Sequence, residues 1–500
     1  IAPLIAVGLH DVWQTKHTVL RNFPVIGHGR YWLEKIRPEI QQYFVESNID
    51  ARPIEREMRA IVYQRAKGEL ETKPFGTERD VYRVGYEWAA HALSDVGRLD
   101  TEPRVTIGGP DCAMPYSASL VNISAMSHGA LSPAAIRALN RGAKKGNFAH
   151  NTGGLSPYHL EAGGDVVWQI GTGYFGCRMK DGGFDPAMFA EKATQDQVRM
   201  IELKLSQGAK PGHGGVLPAC KVNKELAEIR NVHMGEDVIS PPRHRTFATP
   251  LEMMEFIARL RDLSGGRPVG FKLSVGRRVE FLSTCKAMLE SGITPDFIAV
   301  DGGEGGTGAA SLEFSNSLGM PAREAWSFVH NALVGVGKRD DVRIIASGKI
   351  MTGFHMIRAM ALGADLCNSA RGMMFALGCI QSLRCNNNTC PTGITTQNPA
   401  LTKGLVVPDK AERVFRFHKA TIDSLIDLMD AMGIAGIRDI TPDLIFRRTG
   451  DMRVRTYADL YDSLEPGQLL SASDVPPDWA EAWRDASATA FAPAARSGAT

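Results

Sequence analysis

The sequence predicts an α/β protein built on a closed (β/α)8 barrel, and three observations lead there. From Ser119 onward, eight short runs rich in β-branched and aromatic residues alternate with helical patterns, as expected of βα units around a parallel sheet. These runs end in glycine and small polar residues, and a barrel carries its chemistry at the C-terminal ends of its strands. The chain of 500 residues, 44% hydrophobic and 22% charged, has material for a core of that size. An open doubly wound sheet is the alternative.

The eight candidate strands are SLVNIS from Ser119, NFAHNT from Asn147, VVWQIG from Val166, MIELKLS from Met200, VGFKLSV from Val269, FIAVDGG from Phe297, VRIIASG from Val342 and ADLCNSA from Ala364. Between them, helical spacing of apolar residues predicts helices over Leu251–Leu263, Val279–Ser291, Ala322–Val336 and Phe354–Leu362. Upstream, the same spacing predicts amphipathic helices over 37–48 and 53–67, with an irregular stretch over 74–87. Residues 1–104 are therefore expected to form a helical, loop-rich extension packed on a barrel at 105–400. A C-terminal extension at 401–484 should carry helices over 410–432 and 435–448, with His418, like His330, in a structural role. The alanine- and serine-rich end, 485–500, is expected to lack structure.

Four strand-end clusters carry the candidate chemistry. Small residues at Ser124, Ala125, Met126 and Ser127 would let backbone amides approach a planar ligand. KLSQGAKPGHGG from Lys204 offers Gln207 to a ring carbonyl or nitrogen and its two lysines to negative charge. DGGEGGTGAA supplies Asp301, Gly302, Gly303, Gly306 and Thr307. Ser347 and Gly348 pair with Arg371 and Gly372 beyond the last two strands, where barrels build phosphate sites from backbone N–H groups. Any one of these glycine-rich stretches reads as an ordinary turn; together they suggest a phosphorylated flavin such as FMN. Lys272 stands apart, because an ammonium within the apolar run VGFKLSV must face something polar. Beside a flavin it would stabilise negative charge on the reduced ring.

Cys379, Cys385 and Cys390 lie at the spacing C-x5-C-x4-C and are followed by Pro-Thr-Gly. Three thiols in one loop suit an iron–sulfur cluster. Cys367 belongs to a buried strand and is poorly placed as a fourth ligand, so a 3Fe–4S cluster is expected. The other cysteines do not form a disulfide framework, which points to a reducing, cytoplasmic setting. Ile1–Leu9 is apolar but too short to span a bilayer; as the stub of a longer segment it would tether the protein to a membrane. A net charge of +2 with no long basic run gives no support for nucleic acid as a partner.

The strand-end clusters together with CIQSLRCNNNTCPTGITTQ resemble the FMN-binding synthase domain of glutamate synthase, and more closely its shorter, stand-alone relatives, over residues 20–470. The resemblance implies a barrel holding FMN and a 3Fe–4S cluster. Electrons from a separate donor, such as ferredoxin or a reductase subunit, would reduce 2-iminoglutarate, formed from 2-oxoglutarate and ammonia, to L-glutamate. The family's substrate-binding lysines match Lys204 and Lys210, its downstream arginine matches Arg230, and its flavin-contacting glutamine matches Gln207. Lys210 and Lys272 are the expected catalytic pair.

Departures from the family pattern fall at His213, at Val216 and in the loop Asn151-Thr152-Gly153-Gly154-Leu155. No cysteine precedes Cys112, so the glutamine-hydrolysing nucleophile of the large enzymes has no counterpart, and ammonia would come free or from another subunit. An N-methylglutamate synthase-like enzyme and a non-catalytic electron-transfer subunit are the alternatives. Lys204, Lys210 and Arg230 together argue against the latter, since a bare electron carrier has no use for a dicarboxylate pocket.

Overall fold

The computed structural model describes residues 1–94 and 96–492. Eight parallel strands close in strict chain order: β1 (Val121–Ile123), β2 (His150–Asn151), β3 (Val166–Ile170), β4 (Val198–Lys204), β5 (Val269–Leu273), β6 (Phe297–Asp301), β7 (Arg343–Ser347) and β8 (Leu366–Ser369). β8 returns to β1, with Cys367 opposite Val121 and Ser369 opposite Ile123. Seven of the eight expected runs contain one of these strands and the eighth, from Met200, overlaps β4, which begins at Val198; the barrel, not the open sheet, is the fold. Strands covered on both faces must be apolar nearly throughout, and Trp168, Phe271 and Phe297 are fully buried. Among the polar exceptions, Gln169, Glu202, Lys204 and Lys272 occupy the C-terminal halves of β3, β4 and β5.

The surrounding helices begin where their caps stand. Ser132 Oγ accepts the Ala135 N–H at the start of Pro133–Gly146, and Thr249 and Glu252 form a capping box at Pro250–Leu263. Thr352 Oγ1 accepts the His355 N–H at Gly353–Ala361. Arg278–Ser291 and Ala322–Gly335 complete the set that the apolar spacing predicted. The helix expected over 410–432 runs from Val407 to Ala431. On it, buried His418 stacks on Phe148 and brings Nε2 to 2.9 Å from Ser119 Oγ. His330 Nδ1 accepts from Arg339 Nε. At the opposite end of the barrel, Asp296 binds the Gly109 and Val269 N–H groups at 2.7 Å each and pairs with Arg261, tying the hairpin Val105–Ile107/Tyr116–Ala118 to the strand entries.

Several expectations change. The chain divides into compact units of residues 1–60 and Ile61 onward, so the boundary expected at 104 falls at 60. Within the first unit, the helix expected from Arg37 begins at His28 and runs to Ile40; past Pro38 it loosens into a π turn over Gln41–Val45. The second expected helix is Arg56–Lys67. The apolar run Ile1–Leu9 lies mostly within the helix Ala2–Trp13, and no helix among the described residues is long and apolar enough to cross a membrane.

The helix expected over 435–448 is absent. Short 3₁₀ turns at Ile437–Asp439 and Pro442–Leu444 lead into a strand, Ile445–Gly450, antiparallel to Glu87–Ala89 and Arg453–Thr456. Trp88 stacks on Phe446 directly across that pair, a cross-strand contact that local helical spacing cannot reveal. The tail is ordered through residue 492: Ala486 and Ala488 are buried, Lys286 Nζ donates to Ala486 O at 2.8 Å and the Leu251 N–H to Ala488 O at 3.0 Å. Residues 493–500 of the expected unstructured end lie outside the described residues.

Glu87 anchors this C-terminal sheet to the barrel. Its carboxylate, 5% exposed, receives Arg323 and Arg358 from two barrel helices and Tyr457 Oη at 3.0 Å, with Arg447 Nη1 3.7 Å away. Burial opposes its charge, but Arg358 and Arg323 outweigh burial and hold the carboxyl below its ordinary value. Replacing Glu87 with Ala should cost about 3 kcal/mol in denaturant unfolding, the low end for a broken buried pair because both guanidiniums reach solvent. Since the folded-state value is lowered, that contribution is present above the ordinary carboxylate range and lost as pH falls through the lowered value.

Candidate active site

At the C-terminal mouth of the barrel, a narrow polar cavity of about 60 Å³ lies among the ends of β1, β3, β4, β5, β6, β7 and β8. Strand register sets its charge. Lys272 on β5 pairs with Lys204 on β4, so two ammonium groups enter the mouth side by side. Asp301, closing β6, lies 3.7 Å from Lys272 Nζ and accepts the Gly208 N–H at 2.9 Å. Lys204 Nζ donates to Gln207 Oε1. Lys210 reaches across to Ala309 O at 2.8 Å, joining the loop after β4 to the loop after β6. Gly208 must be glycine, since a Cβ there would lie 1.8 Å from Gly302 O.

Burial, then the neighbouring charges of Lys272 and Lys210, lower Lys204 to about 8, partly opposed by Asp301 and Glu202. Burial also lowers Lys210. Below the cations, Glu202 accepts from Asn151 Nδ2 at 2.9 Å and Gln169 Nε2 at 2.5 Å through Oε1, while Oε2 is buried without a protein partner. Across the mouth, the loop Ser347–Met351 meets the segment Ser369–Gly372: Ser369 Oγ donates to Ile350 O at 2.6 Å, and Arg371 Nη2 to Glu304 O at 2.7 Å. Gly348 (φ +148°) and Lys349 (φ +54°) turn the chain sharply where it lines the cavity beside Ser369–Gly372.

Of the expected cofactor residues, Ser124, Ala125, Gln207, Lys272, Asp301, Gly306, Ser347, Gly348, Arg371 and Gly372 line this cavity. Met126, Ser127, Gly302, Gly303 and Thr307 do not. Met126 N–H is bound to Asn151 O, Gly302 N–H to Ser347 O and Gly303 N–H to Met320 O, and Thr307 is exposed. Of the expected substrate residues, Lys204 lines the cavity, and Lys210 lies next to it. Arg230 is placed differently. Its guanidinium, lowered by burial to about 10, donates to Ser127 Oγ and His128 O and stacks 4.6 Å from the Phe175 ring, which are structural contacts. Gln169 and Asn368 line the cavity and were missed, although each is polar in an apolar strand, the same signal that singled out Lys272.

The family-pattern departures lie nearby. His213 packs edge-on against Phe314, and Val216 pairs with Ile239 in a two-stranded ribbon. The Asn151 loop turns at Gly153 and Gly154, both at positive φ.

Residues 90–435 match the family model described as the conserved region in glutamate synthase. The chain belongs to the glutamate synthase family. It is 39% identical to the glutamate synthase large subunit-like protein YerD of Bacillus subtilis (strain 168), over 86% of this chain and 89% of that protein. It is 32% identical to the archaeal glutamate synthase [NADPH] of Methanocaldococcus jannaschii, over 64% of this chain but 60% of that protein. A solved mandelate oxidase with 3,3-difluoro-2-hydroxy-3-phenylpropionic acid is 12% identical over 74% of this chain and 86% of that one, with a TM-score of 0.40.

Within this glutamate synthase family chain, the three-cysteine loop lies beside the mouth. A Cβ at Gly308, two residues past Gly306, would lie 3.8 Å from Cys385 Cβ. Cys385 and Cys390 are near enough to affect each other's charge. Burial opposes the Cys390 thiolate, but hydrogen bonds from Thr392 and Thr395 hold it below its ordinary value. Cys379 Sγ accepts the Gln381 N–H at 3.5 Å, and Tyr63 Oη donates to Cys379 O at 2.6 Å. Among the described residues no three ligating side chains converge as a single-ion site; a cluster instead holds its thiols apart at separate corners, and the all-sulfur donor set of this loop fits one.

The lowered Lys204 makes anion binding at the mouth pH-dependent. The dissociation constant for 2-oxoglutarate, measured by calorimetry, should be flat well below pH 8. It should weaken as pH rises through about 8, by up to about tenfold per unit. Lys204→Met should remove this titration.

Proposed function

We propose that the chain is a flavin-dependent oxidoreductase of the glutamate synthase type that reduces 2-iminoglutarate, formed from 2-oxoglutarate and ammonia, to L-glutamate. The observation that carries the reading is the pairing of Lys204 and Lys272 at the barrel mouth, with Asp301 against Lys272 and Lys210 close by, a site suited to a dicarboxylate lying beside a ring that gains negative charge.

FMN fits the residues present. The loops Ser347–Met351 and Ser369–Gly372 would hold its phosphate through backbone amides, with Arg371 adding charge, while Gln207, Lys272 and Ala125 would line the ring. Bound there, it would supply the hydride. Lys204 would bind a substrate carboxylate, and Lys210, fixed to Ala309 O, would reinforce that field or donate the proton that accompanies reduction of the C=N bond. Lys272 would stabilise the reduced cofactor. A buried mouth also keeps water from hydrolysing the imine.

The loop of Cys379, Cys385 and Cys390 would hold an iron–sulfur cluster and pass electrons from a separate donor. Its approach to Gly308, in the strand-end loop that also carries Gly306, supports that route. Arg230 is left out of the substrate contacts, because it lies outside the cavity and its Nη2 is held by Ser127 Oγ and His128 O.

The test is to reduce anaerobic protein with dithionite and follow flavin reoxidation in two mixtures. With 2-oxoglutarate plus ammonia, reoxidation should be matched by stoichiometric glutamate. N-methylglutamate formed only from methylamine plus glutamate would reassign the substrate. Reoxidation by neither mixture, in protein that retains flavin, would reject a synthase role. Lys204→Met should weaken 2-oxoglutarate by about 2–5 kcal/mol while leaving FMN content unchanged.

A further inference from the structure

The short turn Ala219–Lys221 lies far in sequence from the three-cysteine loop, yet it is fastened to it. Asn388 Nδ2 donates to Cys220 O at 3.0 Å, and Cys220 Sγ lies 4.0 Å from Asn386 O. Both asparagines fall between Cys385 and Cys390, so a fourth cysteine is held against the run that carries two of the other three. Cys220 is exposed.

The next residue gives an independent observation. Lys221 is 3% exposed, and its ammonium makes no hydrogen bond or ion pair among the described residues. The charged groups within its reach are the sulfurs of Cys385, Cys220 and Cys390, so Lys221 lies against the same set of thiols. A cation placed among thiols is favoured when those thiols carry negative charge. Thiolates ligating iron provide it.

We propose that Cys220 is a fourth thiol ligand of the cluster held by Cys379, Cys385 and Cys390, making this a four-thiolate, 4Fe–4S site. The proposal rests on the iron–sulfur reading of that loop. Three thiols leave one corner of a cubane without a protein ligand, whereas four fill it. The bond formed is from Cys220 Sγ to iron, and the thiol proton leaves to solvent. Because Cys220 is exposed, that corner faces the surface, where a separate electron donor can approach. Lys221 would offset the charge of the complete site from the buried side.

The experiment uses the full chain, reconstituted anaerobically with ferric iron, sulfide and a dithiol reductant, with iron, labile sulfide and flavin counted per chain. Electron paramagnetic resonance is recorded on oxidised and dithionite-reduced samples. Wild type should hold about four irons, be silent when oxidised and give a half-spin signal when reduced. Cys220→Ala should hold about three irons and show a half-spin signal when oxidised, with flavin content unchanged. About three irons and the same oxidised signal in both proteins would overturn the fourth ligand and leave the three-thiol cluster standing. Flavin without iron in wild type would overturn the iron–sulfur reading itself.

Discussion

The barrel mouth is governed by one constraint: Lys204 and Lys272 occupy paired positions on adjacent parallel strands, and closure of the sheet prevents them from moving apart. Two ammonium groups sharing a low-dielectric mouth repel each other, and Asp301 answers only part of that charge. The free site is therefore electrostatically incomplete and favours anions. The rest of the mouth preserves the arrangement. Gly208 allows the loop after β4 to touch the backbone of the loop after β6, the Gly208 N–H holds Asp301 in place, and Lys210 fastens the same two loops from the outer side.

The same economy of charge appears twice more in the fold. At the C-terminal sheet, one buried carboxylate, Glu87, gathers arginines from two barrel helices and a tyrosine. At the cysteine loop the balance is reversed, since Lys221 is a buried cation whose favourable neighbours are sulfur atoms. The first arrangement is complete within the protein and is structural. The mouth and the cysteine loop are complete only when something negative is added, which separates sites from scaffold in physical terms.

Much of the barrel was legible because its strands are buried on both faces and read as continuous apolar runs, in which a lysine such as Lys272 is conspicuous. Gln169 and Asn368 carried the same signal more quietly, an amide being less anomalous than an ammonium in such a run. What local pattern could not show depends on distant partners. The strand Ile445–Gly450 exists because Glu87–Ala89 pairs with it. Arg230 reads as a substrate cation in the sequence, but its position beside Phe175, Ser127 and His128, outside the cavity, depends on distant partners. Cys220 looked isolated because its neighbours, Asn386 and Asn388, lie in a different loop. Residues 485–492 have the composition of a loose tail but are pinned by Lys286, Ser283 and Leu251.

If the paired lysines make the mouth a place where negative charge is stabilised, the flavin bound there must respond to their removal. The most direct measurement is the two-electron midpoint potential of bound FMN in wild type and in Lys272→Met, at a pH well below 8 so that Lys204 stays charged. The account predicts a more negative potential in the variant, with FMN still bound, because the reduced ring loses the cation beside it while Asp301 remains. An unchanged or more positive potential in flavin-loaded Lys272→Met would contradict it.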